Sequence, residues 1–137
     1  MLFRSVIQII EKAKKFVNPE LVFTHFPDDL NVDHQIVANA TMTAFRTKAK
    51  ENCKKILAFE VPSSTEWYFP SEFSPNIFVD ISKEIKSKFL AIKKYKNEIL
   101  EFPHPRSIDA LEAIAKRWGS VSGFMYAEAF SLVRKLD

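Results

Sequence analysis

Leu21-Val22-Phe23-Thr24-His25-Phe26-Pro27-Asp28-Asp29-Leu30-Asn31-Val32-Asp33-His34 is the stretch on which the fold turns. Its first four residues form the kind of short apolar run that makes a buried parallel strand, and the run stops at a polar segment. That segment, His25 to His34, holds two imidazoles and three carboxylates in ten residues. So many donors at a strand end suit a metal site. The simpler alternative is that Asp33 caps the helix that follows and the other polar side chains are solvated.

Upstream, Val6, Ile9, Ile10, Ala13, Phe16 and Val17 share one stripe at helical spacing, with Glu11, Lys12, Lys14 and Lys15 opposite, and Asn18-Pro19 ends the pattern. Downstream, the pattern predicts a helix over 33–51 and a second buried strand over 55–61, closed by Pro62 and the Ser63-Ser64-Thr65 cluster. Residues 62–80 are rich in proline and aromatic side chains without a helical period, and read as a long ordered loop with a short strand at 77–79. A helix over 82–100 is stopped by Pro103. Ser107 then caps a last helix with Asp109 in its first turn and Gly119 at its C-cap, and 130–133 form a terminal strand. Helices alternating with strands predict an α/β fold, a Rossmann-like parallel sheet with flanking helices, in a single domain over residues 1–137. Ligands of such sheets bind beyond the carboxyl ends of the strands, which singles out 25–34 and 62–67.

Composition narrows the function classes. Twenty Lys+Arg against 17 Asp+Glu leave a net charge of +3, and the lysines of 83–96 fall on a polar helix side, so a solvated face is expected and no nucleic-acid partner. The two glycines, Gly119 and Gly123, belong to no GxGxxG or GxxxxGK[ST] run, which excludes phosphate-cradling loops. Cys53 is the one cysteine, which excludes an internal disulfide and reads as a small buried side chain. The sequence has no apolar run long enough for a membrane span and no signal-peptide pattern at its start, so a cytoplasmic protein is expected.

Thr24 to His34 resembles the second signature, T-H-x-x-x-D-L-N-x-D-H, of the PIG-L (LmbE-like) N-acetylglucosaminyl deacetylases. Glu60-Val61-Pro62-Ser63-Ser64-Thr65-Glu66-Trp67, Pro75 to Ile81, His104-Pro105-Arg106-Ser107 and Ala127-Glu128-Ala129-Phe130 are similar to further motifs of that family, in the same order and at similar spacing. The resemblance spans residues from 6 to 134. It implies an LmbE-like fold truncated at its N-terminus, with residues 1–5 foreign to the family, as an open reading frame cut short at its start would leave them. It implies that His34 is a zinc ligand and that Asp33 is a carboxylate near the metal. Asn31 stands where other branches carry a catalytic imidazole, for which His104 is a candidate replacement. Substrate contacts are expected from His25, Asp29, Arg46, Ser63, Ser64 and Arg106, with His25 and Arg106 also readable as structural groups.

The family's first motif, H-P-D-D-E, supplies two more zinc ligands and the general base, and it does not occur here; His25-Phe26-Pro27-Asp28-Asp29 imitates it with an inserted Phe26. Amide hydrolysis by zinc needs three protein ligands, an open position for water and a base. The expectation is therefore the C-terminal portion of a zinc-dependent hydrolase acting on the N-acetyl group of an amino sugar, inactive alone, with an incomplete zinc site. Its exposed sheet edges are expected to favour self-association or pairing. The alternative is a split-enzyme subunit or a degenerate sugar-binding or interaction protein of the same fold.

Overall fold

The computed structural model describes residues 2–70 and 72–137. Met1, in the segment expected to be foreign, and Ser71, in the expected loop, lie outside the described residues. The elements are α1 (Leu2–Val17), β1 (Leu21–His25), α2 (Val32–Ala44), β2 (Lys55–Phe59), a 3-10 turn (Thr65–Trp67), β3 (Ile77–Asp80), α3 (Ile85–Ile92), α4 (Ile108–Ser122) and β4 (Ala127–Lys135). The strands form one sheet in the order β1-β2-β4-β3. β1 and β2 are parallel, Val22 opposite Ile56 and Thr24 opposite Ala58. β4 runs antiparallel to β2, with Phe130 opposite Phe59 and a register shift at Ile56/Leu57. The α/β class stands, but the sheet is mixed where a parallel one was expected. A run of buried apolar residues has the same two-residue period in either direction, so it carries no record of strand polarity.

Contacts gather into two compact units, one of the residues up to Ser74 with Phe130–Asp137 and one of Pro75–Ala129. In the first unit α1 packs on α2 and α2 on β1. Its core is Ala44, Phe45, Cys53 and Ile56, with Ile7, Ile10, Val22 and Met42 against it. α2 ends at Ala44, short of the expected 51, because Phe45 turns into this core and the Lys14 ammonium takes the Ala44 carbonyl at 3.3 Å. Glu51 then folds inward to the same ammonium at 2.7 Å instead of extending the helix. α1 starts at Leu2, so residues 2–5 continue the helix expected from residue 6.

The second unit is built on Ile81, Ile85 and Ala115, with Phe89 and Tyr126 packed against them. Ser107 caps α4 as expected, its hydroxyl accepting the Ala110 N–H at 3.1 Å, but the helix passes through Gly119 and stops at Gly123, whose φ of +81° is the left-handed cap. Gly119 serves a different need. A Cβ there would lie 2.6 Å from the Phe124 carbonyl oxygen. α3 ends at Ile92 because the residues expected to continue it are not buried: Tyr95 is 68% and Leu100 43% exposed, and a helix without a packed face has little to hold it. Among the described residues no helix is long and apolar enough to cross a membrane.

Candidate functional site

Beyond the carboxyl ends of β1 and β2 the first unit gathers its polar side chains around Asp29. This carboxylate is fully buried. Its Oδ1 accepts the Asn31 backbone N–H at 2.8 Å, His34 Nδ1 at 3.0 Å and a short bond from the Ser64 hydroxyl, while Oδ2 accepts the Thr65 hydroxyl at 2.7 Å. The Thr65 oxygen in turn accepts the Val61 N–H at 2.7 Å, and Gln35 Nε2 donates to the Asp29 carbonyl at 2.6 Å. One carboxylate thus ties the loop after β1, the first turn of α2 and the turn after β2 together. Burial works to raise the Asp29 pKa, but bonds from Ser64, Thr65 and Asn31 and the charge of His34 outweigh it and hold the carboxyl below the ordinary aspartate value.

An ionised Asp29 can only accept, so the His34 proton on that side sits on Nδ1, and in the neutral ring the Nε2 lone pair is left for another partner. Metal-binding histidines are commonly held in this way, by a carboxylate on the nitrogen that does not bind. The His25 ring lies face to face with His34, centroids 4.2 Å apart and planes 13° apart, and tilts against Phe59 at 4.9 Å. His25 Nδ1 is buried with no hydrogen-bond partner. Burial first, then the neighbouring His34, lowers the His25 pKa, with Asp29 opposing. A neutral His34 could offer Nε2 as one ligand of a metal ion. Among the described residues no group of three or more His, Cys, Asp or Glu side chains is placed to hold a metal ion.

Several expected roles change. The carboxylate that reaches His34 is Asp29, not Asp33; Asp33 is exposed in the first turn of α2, where its charge meets the positive end of the helix. Asn31, not Asp33, is the N-cap, and its side-chain oxygen accepts the Asp33 N–H at 2.9 Å. Asp29 and Ser64 are buried and bonded to each other, so they position His34 instead of touching substrate. Ser63 sits at φ +71° with its N–H on Glu66 at 2.7 Å, a turn-forming position. Arg46 donates to the Thr43 carbonyl at 3.0 Å beyond the far end of α2, about 18 Å from His34 by helical rise, and leaves the candidate site.

His104 and Arg106 belong to the second unit. There His104 Nδ1 accepts the Arg106 N–H at 3.1 Å, and the Arg106 guanidinium is paired with Glu98, the structural arrangement that the sequence left open for it. Thr65 and Gln35 were not foreseen. Their signal was present in outline: the hydroxyl cluster after β2 emerges at the same sheet end as the acidic loop after β1, and buried carboxylates need donors.

No protein-family model matches the chain, and no curated protein matches it in sequence. Among solved structures it is similar to the crystal structure of the conserved protein TT1542 from Thermus thermophilus, with a TM-score of 0.73 and 20% identity, covering 97% of this chain and 60% of that one. The likeness is one of fold, and this chain spans 60% of the length of that protein.

Proposed function

We propose that this chain is the C-terminal portion of a zinc-dependent deacetylase that hydrolyses the N-acetyl group of an amino sugar, an N-acetylglucosamine-type sugar, sugar nucleotide or glycolipid precursor. The observation that carries the reading is the Asp29–His34 pair: an imidazole fixed through Nδ1 by a buried carboxylate, at the end of the sheet where α/β folds bind ligands. The resemblance of Thr24–His34 to the deacetylase signature points to the same imidazole. A zinc ion held in part by His34 would supply Lewis-acid polarisation of the amide carbonyl. The chain's own work is positioning. Ser64, Thr65 and the Asn31 amide keep Asp29 ionised, Asp29 keeps the proton on His34 Nδ1, and the stacked His25 restricts the ring's tilt.

Zinc titration of the chain mixed with a polypeptide that supplies the H-P-D-D-E strand, followed by the ring-nitrogen resonances of His34, tests this reading. The Nε2 signal should move on zinc addition while Nδ1 stays protonated; a response at Nδ1, or at neither nitrogen, would remove the ligand assignment.

A second reading, a subunit that completes its site with another polypeptide, is favoured by β1. This strand ends the sheet, and Leu21 and Phe23 are 43% and 50% exposed, with no charged residue between Leu21 and Thr24 to discourage pairing. Co-sedimentation of the chain with a polypeptide that supplies the H-P-D-D-E strand, abolished by a Phe23→Lys substitution, would support it.

A further inference from the structure

Within the first unit, a cavity of about 260 Å³ lies between the last turn of α1 and the loop after α2, with Lys14 and Lys15 on one side and Lys48, Lys50 and Glu51 on the other. The loop is tied to the helix at two points. Glu51 reaches the Lys14 ammonium at 2.7 Å, and Asn52 Nδ2 donates to the Asn18 carbonyl at 2.6 Å. Carbonyls at the helix ends, which would repel an anion, are turned to donors: that of Ala44 accepts the Lys14 ammonium at 3.3 Å, and that of Lys14 accepts the Asn18 N–H at 2.8 Å. Among the described residues no carboxylate pairs with Lys15, Lys48 or Lys50, and all three are exposed. Three uncommitted ammoniums therefore line a preformed polar cavity.

We propose that this cavity binds a small phosphate-bearing anion, a phosphate monoester, at a site separate from His34. Ala44 stands ten residues after His34 on α2, about 15 Å by helical rise, so one sugar ring does not span both places. Charge selects the ligand. Four lysines against Glu11 and Glu51 give the lining a net charge of +2, and a phosphate monoester carries about 1.5–2 negative charges at neutral pH with three acceptor oxygens. A carboxylate would answer half of that charge. Lysine binds phosphate as a point charge, so no glycine loop is required. The volume lies below the range of about 300–1,000 Å³ usual for larger ligands, which suits a phosphate with a small substituent and not a nucleotide. A lipid headgroup offers the same chemistry from another source, but α1 argues against it. Ile9 and Phe16, 67% and 92% exposed, lie about 130° around the helix from Glu11 and Lys15, so a membrane met by that apolar stripe would leave the cavity turned away.

The experiment is an NMR titration of the full chain with inorganic phosphate and with glycerol 3-phosphate at low salt, followed through the backbone amides. Binding in the millimolar range is expected, with shifts gathered at Lys15, Asn18 and residues 48–52, and added salt should weaken it. Lys48→Gln with Lys50→Gln should weaken binding about tenfold, and Lys15→Gln on the other wall about threefold. Lys93→Gln with Lys94→Gln removes the same charge from exposed positions elsewhere and should leave binding unchanged. Lys48 and Lys50 carry no ion pair among the described residues, so their double variant should keep the wild-type melting temperature. Absence of shifts at the cavity, or equal weakening by both double variants, overturns the proposal. So does co-sedimentation with phosphatidylcholine/phosphatidylglycerol vesicles, lost in the Lys48 and Lys50 variant, without a response to either soluble phosphate, since the ligand would then be a lipid headgroup. No zinc enters the titration, and its outcome is independent of the reading of His34.

Discussion

Replacing Asp29 by Asn changes one atom of the side chain and should be felt throughout the first unit. Three donors converge on Oδ1 and a fourth on Oδ2. An asparagine can turn its oxygen toward the three, which leaves its amide group facing the Thr65 hydroxyl, already engaged as acceptor of the Val61 N–H at 2.7 Å. Bonds to a charged acceptor are worth about 1.5–3 kcal/mol and neutral ones about 0.5–1.5, so four independent bonds would lose about 4–6 kcal/mol; because these four share one carboxylate and are not additive, the net cost is about 2–4 kcal/mol. With a urea m-value of about 2 kcal/mol/M, the unfolding midpoint should fall by about 1–2 M. The same variant should release His34 from its tautomer: nitrogen-15 spectra should show the proton on Nδ1 in the wild type and a mixture with Nε2–H in Asp29→Asn. A midpoint within about 0.3 M of wild type, together with an unchanged tautomer, would refute the view of Asp29 as the anchor of the site.

Glu51→Gln tests the inward turn that ends α2. Burial alone would raise the Glu51 pKa, but the Lys14 ammonium and the Cys53 N–H hold it below the ordinary glutamate value. Its contribution, about 1–2 kcal/mol, is thus present above the unfolded-state value and lost as pH falls through the lower folded value. The gap in urea midpoint between wild type and Glu51→Gln should be open at neutral pH and close in acid. Gly119→Ala places a Cβ against the backbone oxygen of Phe124, and calorimetry should show a lower melting temperature, with a net cost of about 1–2 kcal/mol despite alanine's better helix propensity. Ser107→Ala removes the cap of α4 and should cost about 1 kcal/mol in the same assay. Arg46→Ala should leave zinc binding at His34 unchanged, because the guanidinium caps the distant end of α2.

The sequence was most readable where local chemistry decides structure. Asn18-Pro19 after α1, Ser107 before α4 and the apolar runs at 21–24 and 55–61 act within a few residues, and the corresponding elements are present there, the second strand ending at Phe59. Element ends that depend on distant partners were not readable. Phe45 leaves the helix for a core made with Ile56 and Cys53, and nothing between residues 45 and 51 announces that the Lys14 side chain will draw Glu51 inward. The direction of β4 was hidden for a related reason, since its partner β2 lies far away in sequence. At the site the structure brings Asp29 and His34 of the acidic loop together with Ser64 from the turn after β2. His34 and the acidic loop were legible from their density, but which of Asp28, Asp29 and Asp33 turns inward depends on the hydroxyls of Ser64 and Thr65, which arrive from another strand.

The central claim is that His34, held by Asp29, is one ligand of a deacetylase metal site. Its most direct test is acetate release from N-acetylglucosamine derivatives in the presence of zinc, by this chain alone and mixed with a polypeptide that supplies an H-P-D-D-E strand. The account predicts turnover only in the mixture and its loss in His34→Ala. Turnover by the chain alone, or turnover in the mixture that survives His34→Ala, would contradict it.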